Sequence, residues 1–300
     1  MRNIRFVLIL VAVGALSVAT VAQQRLVVDV NLTNLDAFVE DRAGQAVLNL
    51  TPDDFQIVEN GEEKTISHFS MEREPVALGI VVDRSISIKP IQKRIDEAVG
   101  FLLEESEPTD QAFVFTFAGN IDLTVEPTTD RLSTLKTMGK VKLGYGTHFY
   151  DAVNDALQYI SKSRLNRKVL VVLSDGADHG SSHSLKDTID LARRNGQSVN
   201  VIGFVGEDPL TWTENGRRQI HNEFQLLASS TEGRTFFPHS SAESFRIAKR
   251  IMQTSRFAYK LGFYSSGSFT EPSTIEVKLR GRPSAQVYFR PGAIPVNGER

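Results

Sequence analysis

The stretch from residue 76 to 90, VALGIVVDRSISIKP, limits what this chain can fold into more than any other. Residues 76–82 are almost wholly apolar and end in β-branched side chains, the composition of a strand buried on both faces of a parallel sheet. They run into Asp83-Arg84-Ser85-Ile86-Ser87, a D-x-S-x-S loop. Pro90 suits the first turn of a following helix, where its missing N–H costs nothing. One carboxylate and two hydroxyls thus fall at the carboxyl end of a strand, just before a helix, where open α/β sheets bind ligands.

The chain downstream has the matching rhythm. Helical spacing marks 91–103 (Ile91, Ile95, Ala98, Val99, Leu102), 149–160 (Ala152, Ala156, Ile160), 185–194 (closed by Asn195-Gly196), 223–229 and 242–254. Strand-like runs occupy 112–117, 121–125, 168–173, 199–205 and 234–237. Strands alternating with helices of this length predict βαβ crossovers and a mostly parallel, doubly wound sheet with helices on both faces.

Both flanks read as β. Leu26, Val28, Val30 and Leu32 alternate, then the parity changes to Leu35, Ala37 and Val39, as a bulge or turn near Thr33-Asn34 would cause. Residues 55–69 predict a hairpin about Asn60-Gly61, a strong turn signal. After the last helix Phe257, Tyr259, Leu261 and Phe263 alternate, as do Ile275, Val277 and Leu279, with 287–289 a possible final strand. A lone hairpin is marginal in water. One β-sandwich built from both ends, with the α/β unit inserted, is therefore expected over two unrelated appendages. The predicted layout is 25–74 β, 75–255 α/β and 256–294 β.

Residues 1–22 have the pattern of a signal peptide: Arg2 and Arg5, an apolar run over 6–16, and small residues ending at Ala22. Cleavage after Ala22 is expected, which sends the chain to the periplasm, the cell envelope or the medium. An uncleaved anchor is the alternative and the only membrane attachment foreseen, although the run is short for a full span. Apolar residues make up 41% and charged residues 23% of the chain, and the net charge is -2. Those values suit a globular protein and give no electrostatic case for nucleic acid. The absence of cysteine excludes disulfides, thiolate zinc sites and thiol catalysis.

Two further pieces could join the D-x-S-x-S loop. Gly144-Tyr145-Gly146-Thr147 adds a hydroxyl on a glycine-rich loop before a helix, and Asp175 ends the buried strand 168–173 in Ser174-Asp175-Gly176. Hydroxyls and carboxylates are hard oxygen ligands of the kind Mg²⁺ takes. Alone, D-x-S-x-S is as readily a helix cap.

Together these residues resemble the von Willebrand factor type A domain and its metal-ion-dependent adhesion site. Asp83, Ser85, Ser87, Thr147 and Asp175 match its five positions in order, supported by Gly146-Thr147 before Phe149-Tyr150-Asp151-Ala152 and by Leu173-Ser174-Asp175-Gly176. The resemblance covers about 76–254. Leu50-Thr51-Pro52-Asp53-Asp54-Phe55 and Val58-Glu59-Asn60-Gly61 are similar to bacterial exported proteins of the same type. The resemblance implies a Rossmann-like sheet and Mg²⁺ (or Mn²⁺ or Ca²⁺) ligated by Ser85, Ser87 and Thr147, with Asp83 and Asp175 direct or through water. It also implies an open coordination position that accepts an Asp or Glu of a protein partner, without catalysis. The alternatives are an envelope metal-dependent hydrolase and a structural protein whose ion only staples loops.

Arg84 departs from the small residue usual at its position; with Lys89 it would either compete with the ion or attract an acidic partner. Arg84, His148 and Trp212 are the predicted partner contacts, Trp212 lying in a predicted loop over 208–221. His179 and His183 have a metal-ligand spacing, but the glycine and serines between them predict a solvated loop. Gly144-x-Gly146 lacks the third glycine of a dinucleotide fingerprint, so no nucleotide is expected, and there is no G-x-S-x-G elbow.

Overall fold

A computed structural model describes residues 31–176, 178–205, 213–265 and 274–291. In chain order the strands are β1 (Asn31–Glu40), β2 (Phe55–Glu59), β3 (Glu62–Lys64), β4 (Ile66–Arg73), β5 (Val76–Asp83), β6 (Gln111–Phe117), β7 (Ile121–Thr128), β8 (Arg167–Ser174), β9 (Ser198–Gly203), β10 (Thr235–Phe236), β11 (Phe257–Ser265), β12 (Ile275–Leu279) and β13 (Gln286–Pro291). The helices are α1 (Gln92–Glu104), α2 (Arg131–Met138), α3 (Phe149–Ser161), α4 (Leu185–Arg194), α5 (Glu214–Ser230) and α6 (Ser241–Arg256).

Six strands form the central sheet in the order β10-β9-β8-β5-β6-β7. All neighbours are parallel except β6 and β7, which pair antiparallel. Strand order reverses at β5, so its carboxyl end is the switch point where a doubly wound sheet opens a crevice. Every residue of β5 is buried. Leu78, Ile80 and Val82 pack with Ile95, Val99 and Leu102 of α1 and Ile251 and Met252 of α6. Ala77 and Val81 face the opposite layer, with Val153 and Leu157 of α3 and Leu227 of α5. Each such large apolar side chain contributes roughly 1.5–3 kcal/mol on burial, so β5 is anchored from both sides.

The flanks meet in one sandwich. One sheet has the order β13-β1-β11-β4 and the other β12-β2-β3. Leu35, Ala37 and Val39 of β1, Phe55 and Ile57 of β2, Leu261 and Phe263 of β11 and Val277 of β12 share a single core. Tyr259 bridges the sheets: its ring lies 5.2 Å from that of Phe55 and its hydroxyl donates to the Val47 carbonyl at 2.7 Å. The sandwich docks on the amino edge of the central sheet through buried ion pairs. Arg167, the first residue of β8, bonds Asp36 of β1 at 2.6 Å, and Glu40 of β1 pairs with both Arg234 and Arg250.

Several local expectations change. No bulge interrupts β1, which pairs with β11 in unbroken register from Asn31 to Ala37; Leu32 simply faces the other side, 41% exposed. The irregularity lies in the β11–β4 pairing at Gly262/Phe263. The Asn60-Gly61 hairpin forms, both residues at positive φ, but its second strand ends at Lys64 and β4 joins the other sheet. A short 3-10 turn, Ile86–Ile88, takes up the end of the D-x-S-x-S loop before α1, so Pro90 precedes the helix. Helix α2 had no predicted counterpart. Much of the loop predicted over 208–221 is helix, because α5 begins at Glu214 behind a Thr213 cap. Trp212 and residues 1–30, with the predicted signal segment, lie outside the described residues. No helix among the described residues is long and apolar enough to cross a membrane.

Candidate metal centre

β5 delivers Asp83 to the carboxyl edge of the sheet, and β8, its neighbour, delivers Asp175 just past its own end. Between them the two Ser residues of the loop close a chain of hydrogen bonds. Asp83 Oδ1 accepts the Ser85 amide at 2.7 Å, and Asp83 Oδ2 accepts the Ser174 hydroxyl at 2.6 Å. The Ser85 and Ser87 hydroxyls lie 2.9 Å apart, and Ser87 Oγ donates to Asp175 Oδ1 at 3.1 Å. Four of the five predicted ligands are therefore side by side.

Thr147 arrives through backbone contacts. Gly144 N donates to Arg84 O at 2.8 Å, and Ser85 and Gly144 form a parallel bridge. Thr147 and His179 form an antiparallel bridge, with N···O distances of 3.3 and 2.8 Å. The glycine-rich loop is thus stitched to the D-x-S-x-S loop at one end and to the Asp175 loop at the other. Two glycines make this possible. Gly146 has φ +86°, and a Cβ there would lie 2.9 Å from Gly119 Cα; a Cβ on Gly119 would lie 2.6 Å from the Tyr145 carbonyl. The two backbones touch where side chains would hold them apart.

Asp83 is 0% and Asp175 4% exposed, whereas Ser87 lies on the surface. Burial pushes the carboxyl of Asp83 above the usual carboxylate range, against its hydrogen bonds from Ser174 and Ser85. Burial, together with the neighbouring charge of Asp83, pushes Asp175 up to about 7. Two carboxylates crowded in a water-poor pocket are destabilising when both are ionised. A divalent cation would relieve them, and the donor set of two carboxylates and three hydroxyls suits a hard one. Among the described residues no three His, Cys, Asp or Glu side chains gather as a metal cluster, His179 and His183 included.

The predicted partner contacts fare differently. Arg84 is 2% exposed, and its guanidinium turns to helix α1, where it bonds Asp96 at 2.6 Å. Its side chain is therefore not available at the surface as a partner contact. His148 is half-buried, its ring packed against Gly180, where an added Cβ would lie 2.6 Å from Nε2. Tyr145, in contrast, is 84% exposed on the loop beside Thr147. Sequence reasoning also passed over Asp178, whose carboxylate accepts the Phe149 amide at 2.9 Å and so caps α3 directly after Thr147.

The reversed strand order at β5, the buried carboxylates and the hydroxyl-bearing loops define an α/β domain with an oxygen-lined site at its carboxyl edge. The chain belongs to the von Willebrand factor type A domain family, which matches residues 78–250. No curated protein sequence matches the chain significantly. Among solved structures it is similar to a von Willebrand factor type A protein from Catenulispora acidiphila, with 12% identity, 89% of this chain and 67% of that one covered, and a TM-score of 0.52. It is also similar to the conserved hypothetical protein BatB from Bacteroides thetaiotaomicron, with 18% identity, 60% and 98% coverage and a TM-score of 0.49. The von Willebrand domain of the type V pili tip protein Mfa5 from Porphyromonas gingivalis gives 12% identity, 61% and 97% coverage and 0.46.

Proposed function

We propose that this protein is an exported, non-catalytic interaction module that captures a protein partner through a divalent cation, Mg²⁺ or, in its place, Mn²⁺ or Ca²⁺. Ser85, Ser87 and Thr147 ligate it, with Asp83 and Asp175 bound directly or through water. With three neutral hydroxyls as direct ligands and a carboxylate acting through water, the divalent ion keeps part of its charge unscreened, so an Asp or Glu carboxylate of a partner completes the shell from the side where Ser87 is exposed. The observation that carries this reading is the pair of buried, mutually repelling carboxylates at the mouth of the sheet, joined by hydroxyls, with the nearby Arg84 guanidinium bonded to Asp96 rather than to either of them. Export rests on the predicted signal segment, and the acidic partner on the same ion chemistry.

The test is capture from envelope extract on immobilised protein, in Mg²⁺ and in chelator, with Asp83→Ala in parallel. Partners retained in Mg²⁺ are expected to elute in chelator and to be absent from the variant. Capture of the same partners by Asp83→Ala would overturn the adhesion reading, and ester or phosphate turnover lost in that variant would replace it with an enzyme.

A further inference from the structure

We infer that Asp178 and Asp151 are positioning residues for the metal centre, forming a reciprocal clasp that holds the Thr147 loop and the Asp175 loop as one body. The inference rests on the metal reading proposed above. Helix α3 begins two residues after Thr147, and its own N-cap residue, His148, supplies no side-chain cap. The first turn of a helix presents unsatisfied amides that need an acceptor. Here the acceptor comes from the other loop: Asp178 Oδ1 takes the amides of Phe149 at 2.9 Å and Tyr150 at 3.3 Å, and also the Ser181 hydroxyl at 2.5 Å. Asp178 lies three residues beyond Asp175.

The reverse contact is equally specific. Asp151, in the first turn of α3, accepts the amides of Ser182 at 2.8 Å and His183 at 2.9 Å, and its Oδ1 lies 2.6 Å from His183 Nδ1. Ser181 Oγ takes the Asp151 amide at 3.1 Å, so one hydroxyl touches both halves. Each loop therefore supplies a carboxylate that satisfies the backbone of the other. The Thr147–His179 bridge lies between them. Burial works to raise Asp151, but the amides and side chains of Ser182 and His183 hold it down at about 2. The Asp151 half of the clasp is therefore ionised at neutral pH. Thr147 and Asp175 come from segments far apart in sequence, and a shared shell requires them at fixed separation. Partners that orient ligands in this way are typically worth 10- to 100-fold in metal affinity.

The experiment titrates Mn²⁺ by electron paramagnetic resonance into wild type, Asp178→Ala, Asp178→Asn and Asp187→Ala, and follows amide exchange at Phe149 and Tyr150 without metal. Asp187 caps α4 in a box with Ser184 and touches none of the five ligands, so it controls for loss of a helix cap. Asp178→Ala is expected to speed exchange at both amides and weaken Mn²⁺ binding about tenfold or more. Asp178→Asn, which keeps an Oδ1 acceptor, is expected to recover most of that loss, and Asp187→Ala to bind as wild type. Faster exchange with unchanged Mn²⁺ affinity would overturn the inference and leave a plain helix cap. Failure of the wild type to take up Mn²⁺ would overturn the metal reading, and this inference with it. Should Asp178→Ala not fold, Ser181→Ala, which removes the hydroxyl shared by both halves, carries the same comparison.

Discussion

Asp175→Asn is expected to make the metal-free protein more stable at pH 8, and at the same time indifferent to Mg²⁺. The Asp175 carboxyl is held at about 7, against an ordinary value of 3.8, first by burial and then by the charge of Asp83. A carboxyl whose folded value is raised binds its proton more tightly folded than unfolded. Its stabilising contribution is thus complete below about pH 4 and is lost as pH rises to about 7. At about 1.4 kcal/mol per tenfold change in proton affinity, a rise from 3.8 to about 7 corresponds to roughly 4 kcal/mol. Asparagine keeps an oxygen for the Ser87 hydroxyl but carries no charge, so the variant escapes this loss. Denaturant unfolding in chelator at pH 4, 6 and 8 checks it: wild type weakens across the series and the variant does so much less. Added Mg²⁺ then restores the wild type at pH 8 and leaves the variant unchanged. A wild-type stability that is flat over this range in chelator would refute the argument.

Arg256→Ala is expected to cost about 3–5 kcal/mol, the penalty for leaving a buried charge without its partner. Arg256 is the last residue of α6, 4% exposed, and its guanidinium pairs with Asp110, itself 2% exposed. Asp110 accepts the amide of Val76 at 2.8 Å and that of Glu107 at 2.7 Å. One ion pair thus fixes the end of α6, the start of β5 and the turn before β6. Without the guanidinium, the Asp110 side chain remains buried against its two amides with its ion-pair partner gone. Arg73→Ala is the natural control, since Arg73, like Arg256 at 3.3 Å, pairs with Glu107 but is more than half exposed. Such surface pairs contribute about 0–1 kcal/mol. Unfolding free energies that fail to separate the two variants would contradict this account of the junction.

The central strand and the flanking β segments were legible because each rests on a local pattern, whereas the five candidate ligands were picked out by the resemblance of their motifs. An eight-residue buried strand and an alternating β segment announce themselves without knowledge of their neighbours. What escaped was either weakly patterned or tertiary. Helix α2 carries Leu132 and Leu135 on exposed positions, so its apolar residues do not trace a buried face, and only the Asp130 cap marks it. Asn215-Gly216 reads as a turn, yet Gly216 sits in the first turn of α5 and donates its amide to the Thr213 hydroxyl at 3.1 Å. Arg84 was placed by its position in the motif rather than by its direction. It shares the parity of Leu78, Ile80 and Val82, all of which face α1, and that is where Asp96 lies. Strand alternation carried one residue further would have turned it toward α1. Asp178 caps a helix that begins 29 residues earlier, a relation with no local signature.

The junction also bears on the order in which the chain assembles. Phe257 of β11 pairs with Arg73 of β4, and Glu74 N donates to Arg256 O at 3.1 Å, so the polypeptide enters and leaves the α/β unit through adjacent residues. Pairing β4 with β11 across an unfolded insert would carry the loop-closure entropy of everything between them. A folded insert presents its two ends already together, and the sandwich strands that follow need only zip. The sandwich, although half of it is synthesised first, is the part expected to gain protection last in pulse-labelled hydrogen exchange.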